Sequence, residues 1–141
     1  MKIAIVLFLS IFIVSSCACQ KNTDMNTAVL EYEAQSRGVY QKILVENKIV
    51  FVSKTRDEKP VAIQLSEEDW NVLSAAFEKL NLEAIPSLKA PTEKRFYDGA
   101  AIANLKITYK GKTYQTKGFD HGFPPAAIKK IVTELVSFTE K

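Results

Sequence analysis

Two short segments of this chain hold the residue types that carry chemistry: Arg95-Phe96-Tyr97-Asp98-Gly99-Ala100, and Phe119-Asp120-His121-Gly122 running on to Pro124-Pro125. His121 is the one histidine in 141 residues. A histidine near carboxylates is the set a general base needs, with Asp98 or Asp120 to orient the ring and Arg95 to receive an anion. Three features count against catalysis. Zinc asks for three or four ligands, and the two cysteines, Cys17 and Cys19, stand far away near the N-terminus. No serine or cysteine occupies a nucleophile turn. Aspartates next to glycine cap turns with their own side chains, and a lone histidine can simply hydrogen-bond a neighbouring carboxylate. Arg95, Tyr97, Asp98, Asp120 and His121 are therefore read as a structural clasp or binding cluster, with Asp98 bonded to His121, and with no catalytic residue, metal or cofactor. A small hydrolase or an anion-binding or small-ligand protein built on Asp98, Asp120, His121 and Arg95 is the alternative.

The clasp reading rests on the elements between these segments. Ala101, Ala103, Leu105, Ile107 and Tyr109 alternate with polar residues, Lys110-Gly111 supplies a turn, and Thr113 to Phe119 returns as a second strand. In an antiparallel pair the residues before the first strand and after the second lie side by side, which would bring Asp98 to His121. Upstream, Leu30, Tyr32 and Ala34 alternate with Glu31, Glu33 and Gln35. Val39 to Val45 places Val39, Ile43 and Val45 on one face, and Asn47-Lys48 turns into Ile49 to Val52. A charged loop precedes Val61, Ile63 and Leu65, completing a meander.

Ser66 is a helix N-cap, followed by Glu67 to Asp69 and a stripe of Trp70, Leu73, Phe77 and Leu80 at helical spacing. A second helix opens at Pro124-Pro125 and shows Ile128, Ile131, Val132, Leu135 and Phe138 on one side. Between the first helix and the hairpin, residues 81–99 form a long connection, expected to be tacked down by Leu82, Ile85, Leu88, Phe96 and Tyr97. The expected fold is α+β: a mostly antiparallel sheet of about six strands in the order β-β-β-β-α-β-β-α, with two helices packed on one face.

The N-terminus carries an address. Lys2 gives a positive start, Ile3 to Val14 an apolar run, and Ser15-Ser16 small residues before Cys17. About twelve apolar residues reach some 18 Å, well under the roughly 30 Å of a bilayer core, so a membrane-spanning anchor is excluded. This pattern resembles a bacterial lipoprotein signal, with Cys17 as the lipid-attachment residue; ordinary secretion with cleavage near Ala18 is the competing reading. The domain boundaries are then a signal peptide over 1–16, a lipidated cysteine and polar tether over 17–27, and a single α+β domain over 28–141. Cys19 is free or paired between molecules.

Cleavage removes one lysine, leaving 18 basic against 16 acidic residues, a net +2 where the whole chain carries +3. That near balance excludes nucleic acid as a partner. The lysines of the hairpin, Lys106, Lys110, Lys112 and Lys117, read as a solvated face. Neither a phosphate-binding glycine loop nor an internal repeat appears, and no cofactor is expected.

Over roughly residues 28–140 the chain is similar to a group of small uncharacterised lipoproteins of Bacteroidetes-type bacteria. The carrying points are the lipid-attachment cysteine, the Ser66-led helix with Trp70, and the two segments around Asp98 and His121. That resemblance implies a fold and an address, a lipid-anchored protein on the periplasmic side of the outer membrane, and it carries no assigned activity. The expected function is a membrane-anchored envelope lipoprotein acting as a non-catalytic interaction domain, with the membrane, through its lipid, and an envelope protein as partners.

Overall fold

The computed structural model describes residues 24–141; the signal segment, Cys17 and Cys19 lie outside the described residues. The fold is α+β. Strands β1 (Val29–Gln35), β2 (Tyr40–Glu46), β3 (Ile49–Ser53) and β4 (Val61–Gln64) precede helix α1 (Glu67–Glu78). Strands β5 (Ile102–Tyr109), β6 (Lys112–Gln115) and the short β7 (Phe119–Asp120) precede helix α2 (Lys129–Ser137). All pairings are antiparallel, in the order β4-β3-β2-β1-β5-β6, with β7 on β5.

Period two decides which face is covered. Leu30, Tyr32 and Ala34 of β1 are wholly buried while Glu31 and Glu33 between them are not, and Ala103, Leu105 and Ile107 repeat the pattern on β5. Trp70, Leu73 and Phe77 of α1 and Ile131, Val132 and Leu135 of α2 join those strand residues in one core, and the two helices touch each other. The other face stays wet, and across it Glu31 pairs with Lys42 at 3.0 Å and with Lys106 at 2.7 Å. Ser66 caps α1 by accepting from the Asp69 amide at 3.1 Å, where three acidic residues complement the positive end of the helix.

Four sequence expectations shift. Met25, assigned to the tether, is buried in a 3-10 turn over Met25–Thr27 capped by Asp24, so the folded part begins earlier. Val39, expected in the core, is 45 % exposed in the turn before β2. The connection over 81–99 contains two 3-10 segments, Leu82–Ser87 and Lys94–Tyr97; Leu82 and Ile85 anchor the first, whereas Phe96 and Tyr97 are each 71 % exposed and anchor nothing. Finally, the returning strand is broken. Lys106 pairs with Gln115 but Ala103 pairs with Phe119, so three steps along β5 match four along its partner. One extra residue makes a bulge. At the break the Leu105 amide donates to the Thr116 hydroxyl at 2.9 Å where the ladder would use a carbonyl, and the Thr116 amide returns a bond to Leu105 at 2.9 Å. Inward positions consequently change from Tyr114 and Thr116 to Phe119, and Asp120, paired with the exposed Ile102, falls on the opposite face of the sheet, where residues 92–95 enclose it.

Candidate functional site

Asp120 has no exposed surface, and an ionised carboxylate in that position survives only with a full set of donors. It has four. The Thr92 hydroxyl donates to Oδ2 at 2.5 Å and the Lys94 amide at 2.6 Å; the Arg95 amide and the Arg95 Nη1 each donate to Oδ1 at 3.0 Å. Burial by itself would raise the pKa, but the Thr92 hydroxyl, the Arg95 amide and guanidinium, and the Lys94 amide outweigh it and hold the carboxyl at about 2. The Arg95 Nη1 also donates to the Thr92 carbonyl at 2.8 Å, and the guanidinium stacks on Phe96 at 4.3 Å. One buried anion therefore organises the whole second half of the long connection, from Thr92 to Phe96.

Beyond Asp120 the chain turns tightly. The Phe123 amide donates to the Asp120 carbonyl at 2.9 Å, with Gly122 at φ 88° supplying the left-handed conformation that other residues resist. The His121 amide donates to the Ala101 carbonyl at 2.9 Å, seating the turn against the start of β5. Phe123, 41 % exposed, carries the Lys94 ammonium 4.0 Å from its ring centre.

The expected Asp98–His121 bond is absent. His121 Nδ1 instead meets the buried Tyr32 hydroxyl at 2.7 Å, across from β1. Asp98 sits in the left-handed region at φ 58°, exposed, and its carboxylate has no hydrogen-bond or ion-pair partner among the described residues. The backbone there folds back closely: the Gly99 amide donates to the Lys94 carbonyl at 2.8 Å, and a Cβ on Gly99 would stand 2.8 Å from the Tyr97 ring. Glycine is what lets Tyr97 lie where it does. Two other contacts clasp this end together: Asp120 to Arg95, and Tyr32 to His121.

Sequence reading missed Tyr32, Thr92 and the Lys94 amide. A tyrosine on a buried strand face needs somewhere to place its hydroxyl, which was a signal; its partner lies 89 residues away, which was not legible. Burial alone lowers the tendency of His121 to take a proton and raises that of Tyr32 to keep its own. Together they line a partly open cleft of about 250 Å³ between the 120–123 turn and α2.

Chemically, Asp120 is too acidic and too fully engaged to act as a base. The Ser137 hydroxyl beside the cleft donates to the Glu134 carbonyl at 2.7 Å and has no base next to it. No set of three or more potential metal ligands is gathered among the described residues. No protein-family model, curated protein or solved structure matches this chain.

Proposed function

We propose that this protein is a lipid-anchored envelope protein, attached through Cys17 on the periplasmic side of the outer membrane, whose domain is a non-catalytic interaction module for another envelope protein. The observation that carries the interaction reading is the segregation of exposed apolar side chains. Of the seven large hydrophobic residues exposed among the described residues, Val39, Phe96, Tyr97, Ile102 and Phe123 lie on elements around the end of the β1–β5 pair, Val61 lies on the far edge strand β4, and Val72 lies on α1. Register identifies that end: Gln35 pairs with Tyr40 and with Ile102, and Ile102 with Asp120. The chain comes in at the opposite end, where Val29 begins β1, about 20 Å away for a strand of this length. A partner docking on the aromatic end would face away from the anchor point.

Rigidity makes such a surface useful. Aromatic anchors contribute most to binding when they are held in place beforehand, because less freedom is lost on association. Phe96 and Tyr97 follow directly from the two residues whose amides bind the buried Asp120 carboxylate. Anion binding and hydrolysis are less well served. The Arg95 side chain is turned inward onto Asp120, and Asp98 and His121 do not meet.

Two measurements test the reading. Replacing Cys17→Ala is expected to move the protein from the membrane fraction to the soluble one; a protein that stays with the membrane defeats the anchor. A photo-crosslinking residue at position 97 in intact cells is expected to give one discrete adduct that disappears with Phe96→Ser. Monomer alone, or an adduct indifferent to that change, would defeat the interaction surface.

A further inference from the structure

The cleft beside His121 has a chemical character of its own, independent of the aromatic end. Its lining includes Tyr32, His121, Pro124, Val132, Val136 and Glu140, and no lysine or arginine. The Tyr32 hydroxyl is enclosed and has one partner, His121 Nδ1. A phenol has a single proton, and leaving it without an acceptor in the interior is costly, so it goes to Nδ1. The imidazole is therefore held in the tautomer with its hydrogen on Nε2. Among the described residues the one buried side-chain polar atom without a partner is the Tyr109 hydroxyl, so Nε2, which has no hydrogen-bond partner among those residues, is open to solvent.

These facts narrow the ligand. A fixed N–H donor cannot coordinate a metal ion or a cation through Nε2. An anion would meet Glu140 with no positive charge to offset it. What fits is a neutral group with an acceptor for His121, a donor for Glu140 and a small apolar part for the wall of Val132, Val136 and Pro124. An amide has all three in one planar unit. We propose that this cleft binds a small neutral molecule through an acetamido-type group, with its carbonyl accepting from His121 Nε2, its N–H donating to Glu140, and its methyl against Val132 and Val136.

The test uses the mature full-length protein in detergent micelles, labelled with nitrogen-15 and titrated with acetamide and with N-acetylglucosamine. Glucosamine, which carries an ammonium where the acetamido group was, serves as the control. Saturable shifts are expected at the amides of His121, Val132 and Val136 in the millimolar range for both acetamido compounds, with none for glucosamine. His121→Ala and Glu140→Ala should each weaken binding about tenfold, with the Trp70 indole signal showing that the fold is kept. Imidazole nitrogen correlations should show the proton on Nε2. A proton on Nδ1, no saturable shift at about 100 mM, equal binding of glucosamine, or binding unchanged in His121→Ala would each overturn the proposal. Binding that survives Phe96→Ser separates this cleft from the interaction surface.

Discussion

The two ends of the sheet solve the problem of turning the chain in opposite ways. Where β1 begins, both hairpins close with two residues in the left-handed conformation, Asn47 and Lys48 at φ 51° and 62°, and Lys110 and Gly111 at 49° and 75°. The charges beside them pair at the surface, Lys48 with Glu67 at 3.0 Å and Lys112 with Glu83 at 2.7 Å. At the other end the second half of the long connection has to be ordered, and a buried carboxylate orders it. Local backbone geometry suffices for the first, because the strands themselves enforce the turn. The second depends on one charge whose donors stand 25 to 28 residues away in the chain. The lesson is that a charge contributes by where it is enclosed, since an exposed pair competes with water and an enclosed one does not.

The hardest blow to that contrast is Asp120→Ala, which leaves the Arg95 guanidinium and two amides without their acceptor. A loss of about 3 to 5 kcal/mol in urea unfolding is expected. A loss below about 1 kcal/mol would mean that the carboxylate does not order the connection.

Acid should expose the same group. A carboxyl whose pKa is lowered by folding, to about 2, stabilises the fold fully above its unfolded value and loses that contribution as pH falls through the folded one. Stability should therefore drop between about pH 4 and pH 2, and Asp120→Asn should flatten that limb of the curve. An unchanged acid limb in Asp120→Asn would assign it to other carboxylates.

The second clasp is weaker and can be isolated by a double-mutant cycle. Tyr32→Phe and His121→Ala are expected to couple by about 0.5 to 1.5 kcal/mol, because both remove one hydrogen bond. The corresponding cycle of Asp98→Ala with His121→Ala should show no coupling. Coupling in the second cycle and none in the first would restore the pairing suggested by sequence. The smallest effect belongs to the opposite end: Glu83→Gln, at a fully surface pair with Lys112, should leave the thermal midpoint unchanged at physiological salt. A clear drop there would undo the contrast between the ends.

The fold was legible because period-two alternation, the Ser66 cap and the Asn47-Lys48 and Lys110-Gly111 turns are local signals that agree with one another. The site was legible in part. Arg95, Asp120 and His121 were picked out by type, yet Asp98 and Asp120 look alike in sequence, each an acidic residue one or two positions before a turn glycine. What separates them is the one-residue bulge at Thr116 to Gly118, which turns Asp120 to the face opposite Phe119, beneath residues 92–95, and no periodicity announces a bulge. Tyr97 and Phe96 were misassigned for a related reason: aromatic type suggested burial, whereas the backbone bonds to Asp120 had already fixed the loop without them.

The placement of β1 against β5 also governs the order of assembly. Val29 and Thr108 are neighbours in the sheet and stand 79 residues apart in the chain. Strands β1 to β4 and α1 can form their pairings from nearby sequence, but the face made by β5, together with α2 over it, arrives last and closes a long loop when it does. During synthesis, the first half of this domain must wait with Leu30, Tyr32 and Ala34 uncovered until the last third of the chain has emerged.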